Sequence, residues 1–189
     1  MKEALRQHIT RRLGREPENI HLVLPHFEEL ESSRGEHILH ADEVCRYVYF
    51  IVEGCLQVYV IDKNGQESTR ELYVEDQWTT DIFGFRNQSP SREYIKCAEP
   101  CKLLRIHHDS FQVLAEKVPQ FRNIYQNILE VSYNNTVYRV NTLTSMDALE
   151  RIRWFQENKP RLMARLPAKL IASYLGISPE TFTRLRSKL

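Results

Sequence analysis

The segment Ser178-Pro179-Glu180-Thr181-Phe182-Thr183-Arg184-Leu185-Arg186-Ser187-Lys188 carries a carboxylate, four hydroxyls, two guanidiniums and an ammonium. At helical spacing, Phe182 and Leu185 share an inner face, while Glu180, Thr181, Thr183, Arg184, Arg186 and Lys188 point outward. Such a face forms hydrogen bonds and neutralises phosphates; it recognises a polyanion rather than making or breaking bonds. The other chemistry-bearing residues are dispersed. His37 and His40 are separated by two residues, so on a strand they face opposite sides and do not converge on a metal as a His-x-His pair does. Cys97 and Cys101 flank a turn at Glu99-Pro100 and lack the Cys-x-x-Cys spacing of a metal knuckle or redox pair. With Cys45 and Cys55 they read as reduced, buried thiols, each behaving as a small hydrophobe. No nucleophile–base motif and no glycine-rich phosphate loop is present, so the chain reads as a binding protein and not an enzyme.

The elements that position the basic face are legible around it. Pro167 opens a helix whose inner face is Leu170, Ile171 and Leu175, with Ala172 small enough for a close crossing. Gly176 supplies the left-handed residue that ends this helix. Ser178 caps the next one and Pro179 takes its first position. Together they read as a helix-turn-helix. Upstream, Glu3–Leu13 and a stretch around Leu24–Leu30 read as helices. From Gly35, six short segments rich in β-branched and aromatic residues follow: 37–39, 47–52, 55–60, 67–74, 94–98 and 101–106. They are separated by turn signals at Glu53-Gly54, Asp62–Gly65 and Glu99-Pro100. Asn64-Gly65 marks a tight hairpin, both residues tolerating φ > 0. Short strands at this spacing predict a compact antiparallel roll.

After Ile106 helices take over. Asp109 or Ser110 caps a short one, and Pro119 opens a long one to about Leu143. Along it Phe121, Ile124, Ile128, Val131, Asn135, Tyr138 and Thr142 recur at alternating three and four, the period of a coiled-coil seam. The expected dimer seam is Ile124, Ile128, Val131, Asn135 and Tyr138, with Asn135 setting register. A further helix runs from Met146 to Glu157.

The chain has 189 residues, 42% hydrophobic and 27% charged, the balance of a folded soluble domain. No apolar run approaches membrane-spanning length, and the charged N-terminal segment is no secretory leader, so a cytoplasmic protein is expected. A net charge of +1 hides an asymmetry: residues 1–150 sum to −6 and residues 151–189 to +7. The basic end is where a polyanion partner belongs.

The order of acidic β-roll, long helix and basic helix-turn-helix resembles the Crp–Fnr family of bacterial transcription regulators. Gly35–Gly65 is similar to that family's cyclic-nucleotide-binding roll, and Ile171–Arg186 to its recognition unit. The resemblance implies an α+β fold: an N-terminal double-stranded β-roll (jelly-roll-like) at 1–118, a dimerisation helix at 119–144, and a C-terminal helix-turn-helix domain at 145–189. It implies double-stranded DNA and a second copy of the chain as partners, and contact with RNA polymerase. In the family an acidic, a small or hydroxyl and an arginine residue read base edges; here these fall on Glu180, Thr183 and Arg184. Their chemistry is apt, since Glu accepts from cytosine N4, Thr meets a thymine methyl and Arg grips guanine O6/N7. Ser178, Thr181, Arg186 and Lys188 are placed for phosphates. The family's sites resemble inverted repeats with a TTG- or GTG-like core, and Pro179 occupies the position where GTG readers carry an extra arginine, which favours TTG. Family members that continue into a β-wing do so beyond the point where this sequence ends, at Leu189.

The effector cassette, Glu75–Ala98, departs from the family. Cyclic-AMP binders carry Gly-Glu for the ribose and Arg-Ser or Arg-Thr for the phosphate. Here the Gly-Glu slot falls on Thr79-Thr80, and the Arg slot on Ser91 or Arg92. Without the carboxylate the sugar edge loses its partner, a penalty of about 1–3 kcal/mol. The expectation is therefore a degenerate sensor that does not take cyclic AMP, with another anionic effector at Arg92 or none, and no metal or cofactor. The alternative is a ligand-binding adaptor whose tail has no specific DNA site.

Overall fold

The computed structural model covers residues 1–189 and describes the side chains of all but Pro119, Gln120 and Ile124. The helices are α1 (Lys2–Leu13), α2 (Ile20–Val23), α3 (Ile82–Asn87), α4 (His108–Lys117), α5 (Pro119–Ser145), α6 (Ala148–Asn158), α7 (Pro160–Arg165), α8 (Ala168–Leu175) and α9 (Pro179–Arg186). The strands are β1 (Glu28–Ser32), β2 (His37–Leu39), β3 (Tyr47–Glu53), β4 (Leu56–Ile61), β5 (Glu67–Tyr73), β6 (Trp78–Thr79), β7 (Tyr94–Cys97) and β8 (Cys101–His107). They form two four-stranded sheets, ordered β1-β8-β3-β6 and β2-β7-β4-β5. The expected α+β architecture, a β-roll followed by a long helix and a helix-turn-helix, is the one observed. The chain divides into two compact units: Met1–Val58 with Tyr73–Glu130, and Tyr59–Leu72 with Val131–Leu189.

In the first unit, β3 is buried from Val48 to Ile51, because the roll interior covers one face and α1 the other, laying His8 against Phe50 at 4.8 Å between ring centroids. An aromatic core of Phe27, Phe50, Trp78, Phe85, Phe111 and Phe121 fills the interior. His8, itself buried, accepts a hydrogen bond at Nε2 from Trp78 Nε1 at 3.1 Å. All four cysteines lie buried as free thiols.

Several local expectations are corrected. Leu24–Leu30 is not a helix: a 3-10 turn at Leu24–His26 gives way to β1, paired antiparallel with β8 from Glu28 opposite Arg105 to Ser32 opposite Cys101. An edge strand buries little, so Glu28, Glu29 and Glu31 stay in solvent and disguise it as a polar segment. The β4–β5 turn is also longer than a two-residue hairpin. Gly65 alone takes positive φ, while Asp62 Oδ1 accepts from the backbone N–H groups of Asn64 (2.8 Å) and Gln66 (3.0 Å). The Asp62 side chain therefore stabilises a wider loop. His37 and His40 do not diverge, since their rings stack at 4.7 Å. The β2–β7 register shifts between His37 and Leu39 and the strand ends there, so alternation no longer holds at His40. The cap of α4 is His107, whose Nδ1 accepts from Asp109 N at 3.3 Å, not Asp109 or Ser110. Beyond the helix expected to end at Glu157, Pro160–Arg165 forms a further one, α7, with Pro160 in its first turn.

The second unit has its own buried set: Ile152, Phe155, Leu162, Met163, Leu166, Ile171, Leu175 and Phe182. The start of α6 is a full capping box: Asp147 Oδ1 accepts from Leu149 N and Glu150 N, and Asp147 N donates to Glu150 Oε2 at 2.8 Å.

Candidate nucleic-acid interface and effector pocket

The C-terminal motif is built from local signals. Ile171, Ala172 and Leu175 of α8 are fully buried, with Leu170 half-buried beside them. Gly176 follows at φ 66°, a left-handed conformation that favours glycine, and a Cβ there would press on the tip of Leu143 at 3.0 Å. Ile177 N–H reaches back to Ala172 O (3.1 Å), closing the helix end. Ser178 Oγ then accepts from Thr181 N at 3.1 Å and donates to Thr181 Oγ1 at 3.1 Å. Pro179 opens α9, and Phe182, fully buried, anchors it.

That anchoring leaves Glu180, Thr183, Arg184, Arg186 and Lys188 exposed, with Thr181 half-buried. Its own backbone N–H, and then the Ser178 side chain, hold the Glu180 carboxyl below the usual carboxylate range, which favours the ionised, purely accepting form. Thr183 donates its hydroxyl to Pro179 O at 3.0 Å, so what it offers a partner is its methyl group and the remaining lone pair. Arg186 lies 5.9 Å from the centroid of Phe182. Of the expected phosphate ligands, Ser178 and Thr181 already share a hydrogen bond between their hydroxyls, and Ser178 also serves the cap.

Two residues that hold this motif were not read from the sequence. Ser173 of α8 bonds three groups of the β4–β5 hairpin: it lies 3.0 Å from Thr69 N, 2.9 Å from Thr69 Oγ1 and 2.8 Å from Glu67 O. Arg151 of α6 donates to Met146 O, Leu175 O and Leu143 O at 3.0–3.1 Å, tying the end of α5 to the end of α8. Cations are favourable at such carbonyl-rich helix ends. An arginine on α6 carries no sequence mark of that role, and a serine inside α8 none of its own.

The expected effector residues sit in the first unit. Thr79 ends β6, buried, with Oγ1 lacking a partner. Thr80 donates to Tyr47 O at 2.9 Å and lies 3.2 Å from Cys45 Sγ. Ser91 is engaged both ways with Glu93, donating to its carbonyl (3.0 Å) and accepting from its N–H (3.1 Å). Arg92 is exposed. The hydroxyls of Thr80 and Ser91 thus serve the backbone of the roll. The sequence reading missed Asp81, one residue past the Thr-Thr slot. It is buried and caps α3 by accepting from Gly84 N at 3.1 Å. Its signal was an Asp just before an apolar helical turn.

Of the expected seam on α5, Ile124 lies outside the described side chains. Ile128 is buried in the chain's own core, Val131 and Asn135 are half-buried, and Tyr138 is exposed. Tyr133, Val137 and Val140 form an exposed apolar run at spacings of four and three. Among the described residues no cluster of three His, Cys, Asp or Glu is arranged to hold a metal ion, and no helix is long and apolar enough to cross a membrane.

With this geometry in place, comparison with known proteins is informative. Residues 29–118 match the family model of the cyclic nucleotide-binding domain. The chain is 22% identical over 162 residues to the cAMP-activated global transcriptional regulator CRP of Pasteurella multocida, covering 80% of this chain and 78% of that one. FixK2 from Bradyrhizobium japonicum has the same fold at a TM-score of 0.76, with 19% identity over 86% of this chain and 84% of that one. A chain from Eubacterium rectale assigned to the Crp–Fnr family of transcriptional regulators also gives 0.76, at 12% identity, with 96% and 87% covered. The resemblance carried by the roll and the C-terminal motif is borne out: residues 29–118 match the cyclic nucleotide-binding domain, within a chain that has the fold of Crp–Fnr regulators.

Proposed function

We propose that this chain is a sequence-specific DNA-binding transcription regulator that reads an inverted repeat as a homodimer. The observation that supports it most is the outer face of α9, where ionised Glu180, the Thr183 methyl and the Arg184 guanidinium stand exposed on a helix anchored by Phe182. These groups match cytosine N4, a thymine methyl and guanine O6/N7. Thr181, Arg186 and Lys188 flank them for phosphates, which position the protein without specifying sequence. Ser178 joins them only by releasing its cap.

In this reading the roll (1–118) is a sensor, 119–144 the dimerisation helix and 145–189 the DNA-binding domain. Two copies pair through α5, whose exposed Tyr133, Val137 and Val140, beside Tyr138, supply the apolar face a partner covers. The recognition helices then stand about one helical turn apart, roughly 34 Å. Engagement of Thr80, Ser91 and Asp81 within the roll supports a sensor that does not take cyclic AMP. RNA polymerase, in the cytoplasm, is the further partner.

The test is selection of random duplex DNA by the purified, ligand-free protein at about 100 mM salt, the concentration being part of the result because phosphate contacts release counterions. Enrichment of an inverted repeat with a TTG-like core is the expected outcome. No binding of duplex DNA at any salt would replace the regulator with a ligand-binding adaptor. Binding without enrichment would remove sequence specificity in the ligand-free state.

A further inference from the structure

Within the second unit lies a cavity of about 280 Å3 that the DNA-binding reading does not use. Its walls include Glu71 of β5, Tyr138 and Arg139 of α5, Trp154 of α6, Lys159, and Tyr174 of α8. We propose that it is a binding site for a single-ring aromatic carboxylate, an effector site inside the DNA-binding unit itself.

The anionic half of the ligand follows from Arg139. Its guanidinium stacks 4.4 Å over the Tyr174 ring, its Nη2 reaches Thr69 O only at 3.5 Å, and its Nη1 is buried without a partner. A withdrawn cation with an unsatisfied N–H favours an acceptor, and most of all a charged one. Lys159 places a second cation 5.8 Å from the centroid of the same ring. Glu71 attracts Arg139 electrostatically but leaves its Nη1 without a hydrogen bond, one of the Glu71 oxygens accepting instead from Leu72 N at 3.0 Å. Its presence in the wall also selects the charge of the ligand. A dianionic phosphate meets stronger repulsion from Glu71 than a monoanionic carboxylate does, and a carboxylate matches the planar guanidinium fork.

The aromatic half follows from Trp154 and Tyr138, whose rings line the cavity and suit a stacked planar group, while the Tyr174 ring backs Arg139. Its size follows from the volume, which lies at the small end for ligand sites and suits one ring. The walls come from the β4–β5 hairpin, from α5 and α6, and from α8 of the helix-turn-helix. Tyr174 is also the neighbour in sequence of Ser173, which pins α8 to the hairpin. An occupant therefore touches the hairpin, α5, α6 and α8 together.

The experiment titrates para-fluorobenzoate against the full chain and follows its fluorine NMR line and Trp154 emission. Saturable binding is expected, weakened about tenfold or more by Arg139→Met, and likewise when the neutral para-fluorobenzamide replaces the acid, tenfold corresponding to about 1.4 kcal/mol. Should Arg139→Met fail to fold, Lys159→Gln, at a half-buried position, carries the same test with a smaller expected loss of about threefold. No saturable binding by the unaltered chain overturns the proposal. So does equal affinity for acid and amide, or affinity unchanged in the folded variants. None of these readouts involves DNA, so failure here leaves the regulator reading standing, and failure of DNA selection leaves this site standing.

Discussion

Single side chains divide sharply between those that present chemistry and those that hold it in place. Arg184 is exposed and stands on a rigidly anchored helix, so its removal is expected to leave the fold intact. Loss of one bidentate base contact costs about 1–3 kcal/mol of discrimination. Arg184→Ala should therefore abolish preference for the selected site while circular dichroism and residual salt-sensitive binding persist; an unchanged preference would move base reading to another residue. His8 is the opposite kind of residue. Burial, with Arg12 and Arg11 nearby, pulls its pKa below the ordinary value, against the opposing pull of Asp76. The unfolded chain consequently binds the proton more readily, so this contribution is complete above the ordinary histidine value of about 6.5 and is lost as pH falls below it. Protonation also removes the acceptor for Trp78 Nε1. Urea melts at acidic and neutral pH should show a larger acid loss in the unaltered protein than in His8→Gln, and equal losses would remove His8 from the pH dependence.

At the level of elements, the helix-turn-helix is held by its own caps and by a hydrogen-bonded pin to a hairpin more than a hundred residues away. Ser173 makes three contacts there, and Thr69 Oγ1 is buried beside it. Ser173→Ala removes all three contacts and is expected to cost about 1–3 kcal/mol. Thermal unfolding measures the loss; a melting temperature equal to that of the unaltered chain would show that water replaces the serine. The two caps of the helix-turn-helix were legible because each is a short sequence pattern: glycine at a left-handed position and serine before proline. The Ser173 pin and the Arg151 bonds were not legible, because their partners are backbone carbonyls and a distant strand. Strand β1 was missed for a related reason, its glutamates reporting exposure at a sheet edge rather than absence of a strand.

For the whole molecule, the proposed dimer rests on α5. A coiled-coil period identified the helix, but the apolar stripe it picked out includes Ile128, which the chain's own core buries. What remains outside is Tyr133, Val137 and Val140, 69%, 40% and 53% exposed. Val140→Asp is thus expected to yield monomers with native circular dichroism and weakened operator affinity in sedimentation and gel-shift measurements. A dimer that survives this change would place the interface on another face. Ile128→Asp is no substitute, since a charge in that core is expected to unfold the first unit.

The sequence by itself determined the order of roll, long helix and helix-turn-helix, and with it the outer face of α9. These depend on periodicity, caps and turns, which act between residues a few positions apart. Only the tertiary structure decided which side of α5 the chain covers, and that Thr80 and Ser91 serve the roll's backbone. It also decided that Arg139, Trp154 and Tyr174 converge on one cavity. Those outcomes depend on which distant groups compete for a side chain, and a competition between segments far apart in the chain is settled only when they pack.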